Sequence, residues 1–543
     1  MEAVRIWEEE VSIPTYEVGA PDKNPMFLEK RVYQGSSGKL YPYPTTETIS
    51  TQKKDKIWHA VYLENEYLKI MVLPELGGRI QRAYDKTNDY DFVYYNHVIK
   101  PALVGLAGPW ISGGIEFNWP QHHRPTTYMP VDHKIVENKD GSKTLMINDV
   151  DQMYGTKGMA SFTLYPGKAY IEIRGQLYNR TSMPQTFLWW ANPAVPVNDY
   201  TQSIFPPDVH SVYDHGKRDV SRFPIAKGIY YKHDYSEGVD ISRYKNIPVP
   251  TSYMAETSSY DFVGGYDYKK EAGLLHVADH HFSPGKKQWT WGCGDFGKAW
   301  DRNLTDEDGP YIELMTGVYT ENQPDFTWLK PFEEKVFKQY FMPYKKVGQV
   351  KNATIHAALG VVTTENEVKI TVYATEKYED AVIVVTNDGK EILRETATIS
   401  PQDILEKSVE TVVAREQDIC TSVYSNDGKL LVRYQAEEEK IPELAKPAEA
   451  AKQPEEIMTN EELLLTAQHI EQHRHATYMP DPYYEEGLKR DPYDSRINNA
   501  YGMLMLRRSN FEKAKELFRT AIKRLTWRSP NPYTSEPYYN LGL

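Results

Sequence analysis

The hydrophobic pattern of the first 345 residues has the two-residue period of β-strands. Runs such as KIWHAVYLENEYLKIMVLP (56–74), KTLMIND (143–149) and KAYIEIRGQLYN (168–179) are separated by Gly, Pro, Asn and Asp. Alternating apolar and polar positions predict strands, and these separating residues predict the turns between them. Strands do not alternate with helical segments, which argues against a doubly wound α/β fold. We therefore predict a large β-sandwich or barrel over residues 1–345.

Residues 346–435 predict a second, smaller β unit. The segment EVKITVYATEKYEDAVIVVTNDGKEIL contains two alternating strands joined by Asn387-Asp388-Gly389, and SNDGKLLVRY (425–434) repeats the same turn chemistry. Asn, Asp and Gly accept the positive φ values that tight hairpins require. These features predict a small immunoglobulin-like β-sandwich.

The pattern changes to a helical period towards the C-terminus. Residues 436–458 are charged and rich in Ala and Pro, which predicts a linker. Residues 459–543 predict helices, with two amphipathic helices in 497–525 joined at 508–510. Their small and aromatic residues resemble the tetratricopeptide repeat, which predicts a protein partner. The repeat breaks off in YYNLGL (538–543), so we expect the chain to be a fragment of a longer protein.

Composition excludes several classes of partner. The net charge is -13, which argues against a nucleic-acid partner because phosphate contacts need a basic surface. The two cysteines, Cys293 and Cys420, are too few for a disulfide framework. No apolar run approaches the length of a membrane span, and the N-terminus lacks a signal-peptide core. These features predict a cytoplasmic protein that does not interact with membranes.

Aromatic residues are abundant, and most are of the kinds that bind sugars. The chain has 41 Tyr and 11 Trp against 16 Phe. Tyr and Trp combine a flat apolar face with a hydrogen-bonding tip, which suits both sandwich interiors and the faces of sugar rings. The adjacent histidines 122–123 and 280–281 lack the spacing that directs two imidazoles at one ion. We therefore predict no metal site and no cofactor.

One carboxylate stands inside an otherwise apolar strand. Glu313 lies in YIELM (311–315), and a buried carboxylate is costly unless it is paired or used. Three further stretches concentrate polar and aromatic residues near glycines. They are GPWISGGIEFNWPQHHRP (108–125), with Glu116, Asn118, Trp119, His122 and His123; FLWWANPAVPVNDYTQSIFPPDVHSVYDHG (187–216), with Trp189, Trp190, Asn192, His210 and His215; and LLHVADHHFSPGKKQWTWGCGDFGKAWDRN (274–303), with Lys287, Trp289, Trp291 and Trp300.

These stretches resemble the galactose-mutarotase-like superfamily, whose fold is the β-supersandwich. The resemblance covers about residues 30–345 and rests on three segments in order. They are ENEYLKIMVLPELGGRIQRAYDKTN (64–88), QLYNRTSMPQTFLWWANPAV (176–195) and YIELMTGVYT (311–320). The union of such a domain with tetratricopeptide repeats resembles the bacterial family DUF5107. The resemblance implies a mainly β fold and a carbohydrate substrate.

The resemblance also implies roles for several residues. Glu313 would be the base that accepts the proton of the anomeric hydroxyl. The residues that would bind the sugar are Arg79, Asn118, Trp119, His122, His123, Trp189, Trp190, Asn192, Trp291 and Trp300. Mutarotases carry a histidine acid on the strand that here reads FLWWANPAV, which has no histidine. A substitute would have to come from elsewhere in the fold. The candidates are His122, His123, His210 and His215.

Three hypotheses follow for function. We expect an enzyme that acts at an anomeric carbon, and the missing histidine favours glycoside hydrolysis by Glu313 with Glu116 as second carboxylate. The alternatives are an aldose mutarotase or epimerase and a non-catalytic sugar-binding scaffold. Hydrolysis predicts that burial raises the pKa of Glu116, while Glu313 stays ionised.

Overall fold

The computed structural model describes residues 3–25, 37–438, 440–475 and 477–543, and the statements below refer to these ranges. Residues 1–2, 26–36, 439 and 476 lie outside the described residues. The first half of the large β region contains these strands: β1 Arg5–Val18, β2 Ile49–Glu64, β3 Leu68–Leu73, β4 Arg79–Asp85, β5 Tyr90–Val93, β6 Ala102–Gly105, β7 Gly108–Trp110, β8 Ile115–Asn118, β9 Asp132–Glu137, β10 Lys143–Val150, β11 Thr156–Leu164, β12 Ile171–Asn179, β13 Gln185–Phe187 and β14 Trp190–Pro196.

The second half of this region continues with strands and one helix. They are β15 Thr201–Ile204, β16 Ser211–Tyr213, β17 Val220–Arg222, β18 Ile225–Ala226, β19 Ile229–Tyr230, β20 His233–Asp234, β21 Val239–Asp240, β22 Thr251–Ala255, β23 Phe262–Asp267, β24 Ala272–Val277, β25 Gly285–Thr290, helix α1 Asp295–Leu304, β26 Tyr311–Gly317, β27 Thr327–Leu329 and β28 Glu334–Lys345.

Two large antiparallel sheets form the main body. One sheet has the order β1-β2-β3-β4-β8-β14-β26-β25-β22-β16-β17, with β5 beside β4, and the other has the order β15-β23-β24-β28-β12-β11-β10-β9. Their facing sides share one hydrophobic core, in which Phe117 of β8 stacks on Phe162 of β11 at 5.0 Å. The predicted mainly β fold with a large supersandwich is confirmed.

A small β-sandwich follows. Its two four-stranded sheets have the orders β29-β30-β31-β34 and β33-β32-β35-β36. The predicted hairpin is present, because Asp388 and Gly389 adopt φ values of 49° and 74° between two paired strands. The strands are β29 Asn352–Ala353, β30 Ala357–Thr363, β31 Glu367–Ala374, β32 Tyr378–Asn387, β33 Lys390–Ile399, β34 Leu405–Glu410, β35 Ile419–Tyr424 and β36 Leu430–Gln435.

The C-terminal segment is helical, as predicted. Phe518 packs so closely on Gly502 that a Cβ there would lie 2.5 Å from the ring, which explains the small residue at this position. No helix in the described ranges has the length and apolar character needed to cross a membrane. The helices are α2 Asn460–Gln472, α3 Asp481–Arg490, α4 Ser495–Arg507, α5 Phe511–Leu525 and α6 Glu536–Gly542.

The helices pack directly on the supersandwich. At the end of α2, the Gln472 amide donates a hydrogen bond to the Phe326 carbonyl at 2.8 Å, and the Arg474 Nε donates to Thr186 Oγ1 at 2.9 Å. The Arg474 guanidinium also lies over the rings of Tyr154 and Phe326. The helical segment therefore supports the loop that precedes β27. A protein partner for these helices stays a prediction.

Candidate functional site

The strand that carries Glu313 separates two environments. Ile312 and Leu314 belong to the core between the two sheets, whereas the alternation of β26 directs Tyr311 and Glu313 to the opposite face. Loops cover that face, so Glu313 is only 5% exposed. The carboxylate therefore stands on the covered outer face of the 12-stranded sheet and not in its core.

A cavity of about 170 Å³ lies over this face. Strand β25 runs beside β26 with Trp289 directly opposite Glu313, and Lys287 two residues earlier shares the same face. The remaining lining comes mostly from loops. The lining residues are Val104, Trp110, His122, His123, His215, Lys287, Trp289, Trp291 and Glu313.

Glu116 is fully engaged by hydrogen-bond donors. Its Oε2 lies 2.9 Å from His123 Nδ1 and accepts from Trp110 Nε1 at 3.2 Å and Asn118 Nδ2 at 3.3 Å, while Oε1 accepts from Thr127 Oγ1 at 2.6 Å. Burial raises the pKa of Glu116, but the charge and hydrogen bond of His123 outweigh it. The pKa is consequently well below its usual range. Glu116 is therefore ionised at neutral pH.

The pKa of Glu313 is shifted in the opposite direction. Burial raises its pKa, the charge of Glu116 adds to that effect, and the charges of Lys287 and His123 only partly oppose it. Burial also lowers the pKa of Lys287 to about 7, against the charge of Glu313. Glu313 and Lys287 are thus two neighbouring buried groups whose pKa values are shifted towards each other.

The predicted division of pKa values is therefore reversed. We expected burial to raise the pKa of Glu116 and a cation to keep Glu313 ionised. The expectation was wrong because it ignored the donors that loop residues direct at Glu116, whereas Glu313 faces a cavity beside a lysine that is itself desolvated. Of the two carboxyls, Glu313 is the one whose pKa is raised.

A second polar network, centred on Gln323, contacts Lys287. The side-chain oxygen of Gln323 accepts hydrogen bonds from Lys287 Nζ and, at 2.8 Å, from His215 Nε2. His215 Nδ1 lies 2.7 Å from Ser252 Oγ, and Asn322 Nδ2 donates to the His215 carbonyl at 2.8 Å. The loop that contacts the helical segment therefore also positions two cavity residues.

Three of the four candidate histidines line the cavity. His122 and His123 follow β8 and their rings lie 3.8 Å apart, and His215 reaches the cavity from the loop after β16. Burial holds the pKa values of His122 and His215 well below the usual range. His210 lies elsewhere, in a groove beside the small sandwich. His122, His123 and His215 therefore line the same cavity as Glu313.

Three predicted polar residues lie on the same sheet face. Asn192 of β14 stands directly across from Glu116 in the strand register, and its side chain is close enough to Glu313 to lower the pKa of that carboxyl. Arg79 is buried, donates Nη1 to the Ile111 carbonyl at 2.8 Å, and contributes charge that lowers the pKa of Glu116. Asn118 bonds Glu116 and accepts the Arg124 amide at 3.0 Å.

Most of the predicted tryptophans do not line the cavity. Trp119 and Trp189 stack on each other at 5.3 Å in the core, and Trp190 packs in a separate buried cluster with Met315. Of the five predicted tryptophans, Trp291 lines the cavity, and Trp300 stacks on Trp291 at 4.1 Å.

Several cavity residues had no predicted role. Lys287 and Trp289 alternate with the predicted Trp291 in the sequence KQWTW, and this period of two was the available signal that the three share one face. Trp110 lies in a candidate stretch but had no predicted role. Thr127 and Gln323, which contact Glu116 and Lys287, lie on loops, and no pattern in the sequence predicts these contacts.

Both β regions of the chain match known protein families. Residues 36–356 match the family described as "Domain of unknown function (DUF5107)". The chain belongs to this family. Residues 352–434 match the second domain of YphG-like proteins, over the small sandwich.

Among solved structures, a TPR-domain containing protein from Parabacteroides distasonis ATCC 8503 has a similar fold. It has 18% sequence identity and a TM-score of 0.55 over 99% of this chain and 79% of that chain. A galactose mutarotase-like protein from Lactobacillus casei ATCC 334 has 12% identity and a TM-score of 0.36 over 52% of this chain and all of that chain. Another, from Clostridium acetobutylicum, has 10% identity and a TM-score of 0.37 over 53% of this chain and 96% of that chain.

Proposed function

We propose that the protein catalyses proton transfer at the anomeric carbon of a free sugar, as an aldose mutarotase or epimerase does. The observation that carries the proposal is the pair of environments around Glu313 and His123. Glu313 has a raised pKa and lines a small cavity, and His123 lines the same cavity with its Nδ1 held by Glu116. A base and an acid that face one ligand are the requirement of this chemistry.

In the proposed reaction, ionised Glu313 accepts the proton of the anomeric hydroxyl, and protonated His123 donates a proton to the ring oxygen. The O1–H bond and the C1–O5 bond break, an O5–H bond forms, and O1 becomes the carbonyl oxygen of the open-chain aldehyde. Rotation about C1–C2 and reversal of the proton transfers give the other anomer. Both residues then return to their starting states.

Glu116 is a positioning residue in this proposal. Its carboxylate accepts from His123 Nδ1, which fixes the imidazole orientation and directs proton transfer through Nε2. Because its pKa is well below the usual range, Glu116 keeps its charge while His123 cycles. This arrangement supplies the histidine that the FLWWANPAV strand lacks.

The cavity's size and aromatic lining support a monosaccharide ligand. Pockets for drug-sized ligands have volumes of about 300–1,000 Å³, whereas this cavity has about 170 Å³. Trp110, Trp289 and Trp291 present apolar surface of the kind that contacts the C–H face of a sugar ring. A long oligosaccharide requires a more extended cleft.

Glycoside hydrolysis is the second candidate, favoured by two buried carboxyls on one sheet face with pKa values shifted in opposite directions. In this case Glu313 would be the acid and Glu116 the base or nucleophile. The four donors on Glu116 argue against it, because they stabilise the carboxylate and so weaken it as a base towards water and as a nucleophile towards the anomeric carbon.

The test is a product assay with free sugars and glycosides side by side. Freshly dissolved single anomers of common aldoses and of their 6-phosphates are followed by NMR, and p-nitrophenyl glycosides are followed by release of nitrophenol. We expect accelerated anomer exchange for at least one sugar and no release of nitrophenol. His210→Gln, outside the cavity, is the control variant and should keep the rate.

Other outcomes would overturn the proposal. Nitrophenol release that depends on Glu313 would establish hydrolysis instead. Sugar binding without exchange or hydrolysis would establish the non-catalytic scaffold.

A further inference from the structure

We propose that Glu8, His59 and His133 bind one Zn²⁺ ion on the open side of the large supersandwich. The three residues come from β1, β2 and β9, and their ligand atoms all lie within 4.8 Å of one another. They are remote from Glu313 in the fold and take no part in the proposed reaction. The inference is independent of the proposed function.

The distances are close to those of a zinc site. The Nε2 atom of His133 lies 3.0 Å from Glu8 Oε1, and the Nε2 atom of His59 lies 3.6 Å from Glu8 Oε2. Bond lengths of about 2.0–2.1 Å in a tetrahedral site place neighbouring ligand atoms about 3.3 Å apart. Because the two contacts use different oxygens of one carboxylate, rotation of the Glu8 side chain is needed to bring one oxygen and both nitrogens to a common ion.

The ligand set and exposure also suit zinc. Two imidazole nitrogens and one carboxylate form a set that Zn²⁺ binds, with water in the fourth position. The side chains of Glu8, His59 and His133 are 45%, 38% and 23% exposed, so an ion and a water molecule can reach them. Zn²⁺ binding would replace the direct contact between Glu8 and His133 with a bond from each side chain to the ion.

The position indicates what such an ion does. Strands β1 and β2 lie at one end of the 12-stranded sheet, and β9 is the last strand of the eight-stranded sheet. An ion held by Glu8, His59 and His133 joins these two ends across 125 residues of chain. It therefore acts as a clip between the sheets.

A second cluster offers an internal control. Asp279, His280 and His281 also bring ligand atoms within 4.8 Å, but they are three consecutive residues. The Nδ1 atom of His280 is 2.8 Å from Asp261 Oδ1, and the side chain of His281 is 75% exposed. Zinc binding at this cluster would have to compete with that hydrogen bond and fix a solvated imidazole.

The experiment titrates the chelator-treated full chain with Zn²⁺ by calorimetry and measures the melting temperature with and without the ion. We expect one equivalent bound with a micromolar or tighter Kd and a rise in the first melting transition of about 2 °C or more. His59→Gln, His133→Gln and Glu8→Gln should each weaken binding roughly tenfold or more. His281→Gln should change neither quantity.

Circular dichroism of each variant, without metal, verifies that the fold is intact. The proposal is overturned if binding occurs only at millimolar Zn²⁺. It is also overturned if His281→Gln abolishes binding while His133→Gln leaves it unchanged.

Discussion

Glu116 and Glu313 occupy the same face of one sheet, both almost fully buried, and yet they titrate in opposite directions. Four donors point at Glu116, and its pKa lies well below the usual range. Glu313 faces a cavity beside Lys287, and its pKa is raised. Burial is common to both, so the number and charge of the surrounding donors decide whether a buried carboxyl keeps its proton.

The difference separates two kinds of role. A carboxylate that is held by four donors and has a lowered pKa can orient a neighbour but does not readily accept a proton. A carboxyl with a raised pKa beside a cavity accepts one more readily. In our account, Glu116 positions His123 and Glu313 exchanges the proton.

The largest expected effect is on activity, from Glu313→Gln. Because the amide cannot accept a proton, anomer exchange should fall by about 10³-fold. The rate is measured by NMR on the sugar that wild type converts. Glu321→Gln, an exposed glutamate beyond β26, is the matched control and should retain the wild-type rate. A Glu313→Gln rate within a few-fold of wild type would remove Glu313 from the reaction.

Next in size is the loss of stability in Glu116→Gln. This change takes the anionic acceptor away from four buried donors, so the free energy of unfolding at neutral pH should fall by about 3 kcal/mol. Since the folded pKa of Glu116 is depressed, its contribution is present above the ordinary carboxyl pKa and is lost as pH falls through the folded value. Urea denaturation at several pH values measures this.

Glu313→Gln is the control for that stability measurement. It removes a carboxyl whose charged form is disfavoured by burial, so it should cost much less at neutral pH than Glu116→Gln. Equal losses of stability in the two variants would abolish the proposed difference between the carboxyls.

A smaller effect is expected on the pH dependence, from Lys287→Met. The charge of Lys287 lowers the pKa of Glu313, so its removal should raise that pKa further. The acid limb of the pH–rate profile should therefore move to higher pH by about one unit. Lys286→Met, whose side chain lies on the other face of β25, should leave the limb in place. An acid limb that moves to lower pH would contradict the proposed coupling.

The smallest effect is expected from Gln323→Leu. This change removes the acceptor shared by Lys287 and His215, and it should lower kcat by roughly tenfold with little change in KM. The acid limb should shift less than in Lys287→Met. An unchanged kcat and pH profile would show that the Gln323 contact has no role in positioning Lys287.

Much of the fold was predictable from local patterns. The strands of 143–149 and 168–179, the hairpin at 387–389 and the helices of 497–525 all follow from period and turn chemistry. The face of each side chain was partly predictable as well. Trp189 and Trp190 are adjacent, so they point to opposite sides and cannot both line one pocket.

The electrostatics of the site were not predictable from the sequence. Thr127 and His123 reach Glu116 from loops, Trp110 reaches it from the short strand β7, and Gln323 reaches Lys287 from a loop that the helical segment supports. Contacts made by loops and by strands this short have no periodic signal. As a result, both glutamates could be identified from the sequence, but the directions of their pKa shifts were predicted wrongly.

The most direct test of the difference between the carboxyls is infrared difference spectroscopy without a substrate. At a pH above about 5.5, carboxyl groups with ordinary pKa values are ionised. Burial raises the pKa values of Asp151 and Asp301 to about 6, so both contribute C=O bands of protonated carboxyls. Because the pKa of Glu313 is raised as well, our account predicts a further band that is lost from the spectrum of Glu313→Gln and retained in that of Glu116→Gln. A band that is lost in Glu116→Gln and retained in Glu313→Gln would contradict it.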